Sequence, residues 1–249
     1  MFEGNIKISA QEIPRTLLGT SPFIGAAHFG HRSRLYQLDL YDKPENILKI
    51  LKKSHELGIT GIQLVPYEPV VNAINWAADE GYDFNIVGTV RQDCENEDIE
   101  LLSQLGASAM LLHSAATDGL NYDFLAEKLE MIKKTGAAAG LITQRPFNTT
   151  KNLLESSILD LFDIYMVPVN KLGYLMDTDA FIAKERGEFR DIIIKLNKTI
   201  IAMQTMAAGI LTPGDAFDFL KTLDYVDLMT VGIASEAEAE ETFGLLAKK

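Results

Sequence analysis

Short, unbroken apolar runs alternate along this chain with longer segments in which apolar residues recur at helical spacing. Runs of that length with no polar alternation are the pattern of strands buried on both faces, and a sheet so covered is parallel with helices packed outside it. The runs predict strands at Phe23 to Ala27, Gly61 to Val65, Asn85 to Val90, Ala109 to His113, Ala138 to Thr143, Ile164 to Val169, Ile200 to Gln204 and Leu228 to Ile233. Between them lie amphipathic stripes such as Ile47, Ile50 and Leu51, or Leu125, Leu129 and Ile132, or Ala239, Phe243 and Leu246. Asp42 before Pro44 marks a helix start, and Gly58, Gly81, Gly106 and Gly136 each fall where a helical segment gives way to the next run. Before the first run, Asn5 to Ile8 and Thr16 to Leu18 are spaced to pair as a hairpin across Glu12 to Arg15. Repeated strand-helix units over 249 residues predict one (β/α)₈ TIM barrel spanning residues 1–249, its floor closed by the short N-terminal hairpin. The alternative, an open doubly wound sheet, calls for a glycine-rich turn after its first strand, and the run from Gly25 to Gly30 lacks that spacing.

Composition narrows the setting more than the fold. A formal net charge of −12 repels a phosphate backbone, and no cluster of lysine and arginine offsets it locally, so nucleic acid is not an expected partner. No stretch approaches the roughly 18 apolar residues of a bilayer span, and Met1 to Ile13 carries Glu3, Lys7 and Glu12 rather than the apolar segment of a secretion signal. Cys94 is the one cysteine, which excludes an intramolecular disulfide. The reading is a cytoplasmic protein whose partner is a small-molecule substrate.

In a barrel of this kind the chemistry sits on the loops at the C-terminal ends of the strands. Those ends carry His28, His31 and Arg32, then Gln63, Tyr67 and Glu68, then Arg91 and Asp93. His113 and Asp118, Gln144 and Arg145, Asn170 and Lys171, and Gln204 continue the ring. So many polar groups at one rim predict a polar pocket, with Tyr67, His113 and His28 as its catalytic candidates.

From end to end the chain resembles the aldo/keto reductases. Leu18-Gly19-Thr20 with Gly25 to Gly30 is similar to that family's opening, Leu111-Leu112-His113 to the strand that delivers its histidine, and Met206 to Pro213 to the loop after its seventh strand. Val231-Gly232-Ile233 with Glu240-Glu241-Thr242 resembles its last strand and helix. The resemblance implies reduction of a carbonyl by a nicotinamide cofactor, with a tyrosine as proton donor, a lysine and an aspartate that tune it, and a histidine that orients the carbonyl. It places His113 in the histidine's role and Tyr67 one residue short of the tyrosine's. Gln63 stands where the aspartate belongs and Val90 where the lysine belongs. The same resemblance assigns NAD(P) to Gln144, Asn170, Gln204, Gly209, Gly232 and Ser235. It disfavours NADP, since Ser235-Glu236-Ala237-Glu238 offers carboxylates where an arginine would meet the 2′-phosphate.

The expected function is therefore that of an aldo/keto reductase-like enzyme on a small polar carbonyl metabolite, with two of four proton-transfer roles unmatched. A metal-dependent hydrolase or lyase is a second reading, resting on convergence of His28, His31, Glu68, Asp93 and His113, although no metal ligand is assigned. A noncatalytic metabolite-binding barrel is a third, resting on Gln63 and Val90.

Overall fold

The computed structural model describes residues 2–247. An antiparallel hairpin, β1 (Asn5–Ile8) and β2 (Gln11–Pro14), leads into a closed parallel barrel. Its strands are β3 (Thr16–Gly19), β4 (Gly61–Leu64), β5 (Asn85–Val90), β6 (Ala109–Leu112), β7 (Ala138–Ile142), β8 (Ile164–Pro168), β9 (Thr199–Met203) and β10 (Leu228–Gly232). Each pairs with the next in chain order, and β10 closes on β3 with Val231 opposite Leu18. Closure removes the open edges that a doubly wound sheet would leave.

A helix follows every barrel strand: α1 (Pro44–Glu56), α2 (Glu68–Asp79), α3 (Glu95–Gln104), α4 (Tyr122–Lys134), α5 (Pro146–Leu154), α6 (Ala183–Ile193), α7 (Pro213–Leu220) and α8 (Glu236–Ala247). Pro44, Pro146 and Pro213 open three of them, where the missing N–H is not needed. The residue capping α1 is Lys43 rather than Asp42. Gly58, Gly81, Gly106 and Gly136 all take φ between +72° and +88°, the left-handed conformation that ends a helix and turns the chain back toward the barrel floor.

The first strand lies earlier than its apolar run predicts. Phe23 to Ala27 is not extended: Pro22–Ile24 forms a 3-10 turn that Gly25 ends at φ +57°, and the strand is Thr16–Gly19, buried throughout. Pro22 has no N–H to give a ladder, whereas Thr16 to Gly19 satisfies both neighbours. The hairpin partner of β1 is accordingly Gln11–Pro14. That hairpin plugs the floor as expected, with Ile8 and Ile13 packed among the inward-facing Leu17, Val87, Ala109 and Leu111. A second, larger cluster packs the outward faces of the strands against the helices, and includes Leu18, Ile62, Leu64, Val90 and Leu112. Among the described residues no helix is long and apolar enough to cross a membrane.

Candidate functional site

The floor being plugged, the opposite end of the barrel holds a cavity of about 620 Å³, within the range of small-molecule sites. Tyr67, His113 and His28 all line it, delivered by the segments after β4, β6 and β3. Its inner wall is made by inward-facing strand residues, among them Gln63, Thr89, Ile142, Met166, Met203 and Thr230.

His113 caps the short helical turn Ser114–Thr117, and its Nδ1 accepts a hydrogen bond from the Ala115 N–H at 3.2 Å. A ring nitrogen that accepts is unprotonated, so the neutral side chain carries its proton on Nε2. Burial pushes the His113 pKa down, and the charge of Asp118 opposes this only in part. The Asp118 carboxylate accepts from Thr143 Oγ1, from Thr149 Oγ1 at 2.7 Å and from the Gln144 N–H at 2.9 Å, which ties the β6 and β7 loops together. His28 sits in the 3-10 turn Ala27–Phe29 with its ring 4.2 Å from that of Phe29, and burial lowers its pKa as well.

Tyr67 caps α2, and the Arg91 guanidinium lies over its ring, 4.6 Å from the centroid. Arg91 is in turn held by Asp98 on α3, whose side chain is 1% exposed: Nε donates at 2.9 and 3.2 Å and Nη2 at 2.7 Å, while the Arg91 backbone N–H donates at 2.7 Å. These bonds raise the Arg91 pKa further and keep the group charged. Nη1 has no protein partner among the described residues. Deeper in the cavity Gln63 Nε2 donates to Thr89 Oγ1 at 2.6 Å, so this glutamine is bonded to a neutral hydroxyl.

Val90 does not face the site. Along β5 the inward positions are Val87 and Thr89, with Arg91 beyond them on the cavity wall, while Val90 is 1% exposed within the outer cluster. Since successive side chains point to opposite faces, the cation beside Tyr67 comes from Arg91 without any shift of register.

The candidate cofactor residues divide. Gln144, Gln204, Gly209 and Gly232 line the cavity, and Gln204 Nε2 donates to Gln144 Oε1 at 3.3 Å. Asn170 and Ser235 do not lie on its wall. Asn170 is fully buried, its amide bonded to Leu172 N, Tyr174 N, Tyr174 O and Gln204 O, and so fixes the loop after β8. Ser235 Oγ accepts from the Glu238 N–H at 3.1 Å, while Glu238 Oε2 accepts from the Ala234 N–H at 2.8 Å. A carboxylate of the chain's own thus occupies the start of α8, and the residues there do not fit a 2′-phosphate.

His28, His31, Glu68, Asp93 and His113 do not gather: among the described residues no three His, Cys, Asp or Glu side chains group as a metal site. Cys94 caps α3. Arg32, Gln63 and Arg91 stand at the rim in the sequence without a role assigned to them, and sequence reasoning misses Thr89 and Asp98. Arg32 lines the far wall, donating from Nη2 to the Ala208 carbonyl and packing on Gly209.

No family model matches the chain, and no curated protein does. Solved structures do match. Two structures described as a putative aldo-keto reductase from Pseudomonas aeruginosa are 18% identical, with TM-scores of 0.64 and 0.63 over 100% of this chain and 97% and 96% of theirs. A structure described as a putative 2,5-diketo-D-gluconic acid reductase B is 16% identical, with a TM-score of 0.62 over 98% of this chain and 86% of its own. Closed barrel and end-to-end superposition agree that this chain shares the (β/α)₈ barrel fold of these structures.

Proposed function

We propose that the chain is an enzyme that binds a small polar metabolite by its carbonyl oxygen and polarises that carbonyl with the Nε2–H of His113. The observation that carries this reading is the bond from the Ala115 N–H to Nδ1, which leaves the neutral imidazole a single donor, on Nε2, in a residue that lines the cavity. A lowered pKa keeps that donor uncharged near neutral pH, so its form is set before a ligand arrives. Tyr67 and His28 line the same cavity and act as orienting groups. Across the same cavity Gln204 Oε1 and Thr230 Oγ1 are buried with no protein partner among the described residues, and a polar ligand or water supplies what they lack. One structural neighbour is named for 2,5-diketo-D-gluconic acid, which is consistent with a carbonyl substrate.

The test is conversion, followed by proton NMR, of a panel of small hydroxyketones, aldehydes and oxo acids with and without NADH. The expected result is turnover of at least one class, slowed about a hundredfold in a folded His113→Ala variant, the usual cost of losing one donor to a developing oxyanion. No conversion of any class, or turnover indifferent to that substitution, overturns the reading. Binding without conversion makes the barrel a receptor for carbonyl compounds instead of an enzyme.

A further inference from the structure

Arg91 and His113 come from adjacent strand ends. Val90 pairs with Leu112, and the His113 N–H donates to the Val90 carbonyl at 2.9 Å, so the next residue on β5 and the next on β6 stand side by side at the mouth. Neighbouring strands lie about 4.8 Å apart. Both side chains line the cavity. One brings a permanent cation and the other a neutral donor.

The cation is prepared for an anion rather than consumed by its carboxylate partner. Asp98 takes Nε and Nη2, the guanidinium carbon lies over the Tyr67 ring, and Nη1 is left without a protein partner among the described residues. The side chain is 25% exposed and lines the cavity. A guanidinium fixed on one edge loses little freedom when a planar carboxylate meets the other.

We propose that Arg91 is the carboxylate anchor of this pocket, that Asp98 is its positioning residue, and that the substrate class is a 2-oxo carboxylate. This rests on the carbonyl-binding reading of His113. In such a compound the ketone and carboxylate oxygens sit on neighbouring carbons, matching a donor and a cation from neighbouring strands. A neutral ketone engages His113 and leaves Nη1 unpaired.

The test is calorimetric titration of the full chain with oxamate, a carboxylate beside an amide carbonyl, and with neutral hydroxyacetone. Loss of Arg91 alone leaves Asp98 buried without a partner, so the variant used is Arg91→Gln/Asp98→Asn, which removes both charges. Wild type is expected to bind oxamate ten- to a hundredfold more tightly, about the yield of one charge-assisted hydrogen bond, and the double variant to lose that margin while keeping its hydroxyacetone affinity. Equal affinities in wild type, or an unchanged margin in the variant, overturn the anchor and leave the carbonyl reading standing. If neither compound binds wild type, both fall.

Discussion

Gln63 donates from Nε2 to the hydroxyl of Thr89 across 2.6 Å, both side chains being buried in the barrel. With Thr89 facing inward, Val90 is turned to the helical layer by the alternation of the strand. Val90→Lys is therefore expected to place an ammonium among apolar side chains, lowering stability by about 3 kcal/mol or more and supplying no charge to Tyr67. Urea unfolding checks it, and a variant as stable as wild type contradicts the register.

Arg91 to Asp98 is a two-point ion pair with one member inside the protein. Arg91→Met leaves the carboxylate without its counter-charge, and the expected loss is about 3 kcal/mol, as for other broken buried pairs. Adding Asp98→Leu to that variant should recover part of the loss, because it removes the uncompensated charge. A double variant less stable than the single one contradicts this account.

Histidine ionisation gives a signed pH effect. His28 and His113 are both held below the ordinary value of 6.5 by burial. The unfolded chain therefore takes up protons at a pH where the folded chain does not. Stability from these groups is full above about pH 6.5 and is lost as pH falls from there toward the folded pKa values. Unfolding midpoints at about pH 8 and about pH 5.5 measure the difference, which His28→Asn/His113→Asn should reduce. An unreduced difference assigns the effect to other groups.

Nucleotide preference follows from Glu238. With its carboxylate on the Ala234 N–H, NADPH should bind no more tightly than NADH in a fluorescence titration. A strong preference for NADPH contradicts that assignment.

Most of the barrel is legible in the sequence because strands covered on both faces must be continuously apolar, as Asn85–Val90 and Ala138–Ile142 are. The same property hides the inside from the outside: Val87 and Val90 are equally apolar yet face opposite layers, so the role of Arg91 emerges only from the register. The first strand was displaced because Phe23, Ile24, Ala26 and Ala27 are as apolar as Leu17 and Leu18, and only Pro22 and the positive φ of Gly25 argue otherwise. His28, Tyr67 and His113 are found by their place after strands. Asp98 is legible only once α3 is phased, where it shares the buried face with Ile99 and Leu102. Asn170 and Ser235 are polar residues after strands, but their side chains bond local backbone and do not line the cavity.

The measurement closest to the central claim is the imidazole nitrogen spectrum of His113, which separates an accepting nitrogen from a protonated one. At about pH 7.5 the account predicts an unprotonated Nδ1 and a protonated Nε2, with the Nε2 proton moving downfield when a carbonyl ligand such as hydroxyacetone or oxamate is added. A proton on Nδ1, or an Nε2 resonance that ignores every carbonyl ligand that binds, contradicts it.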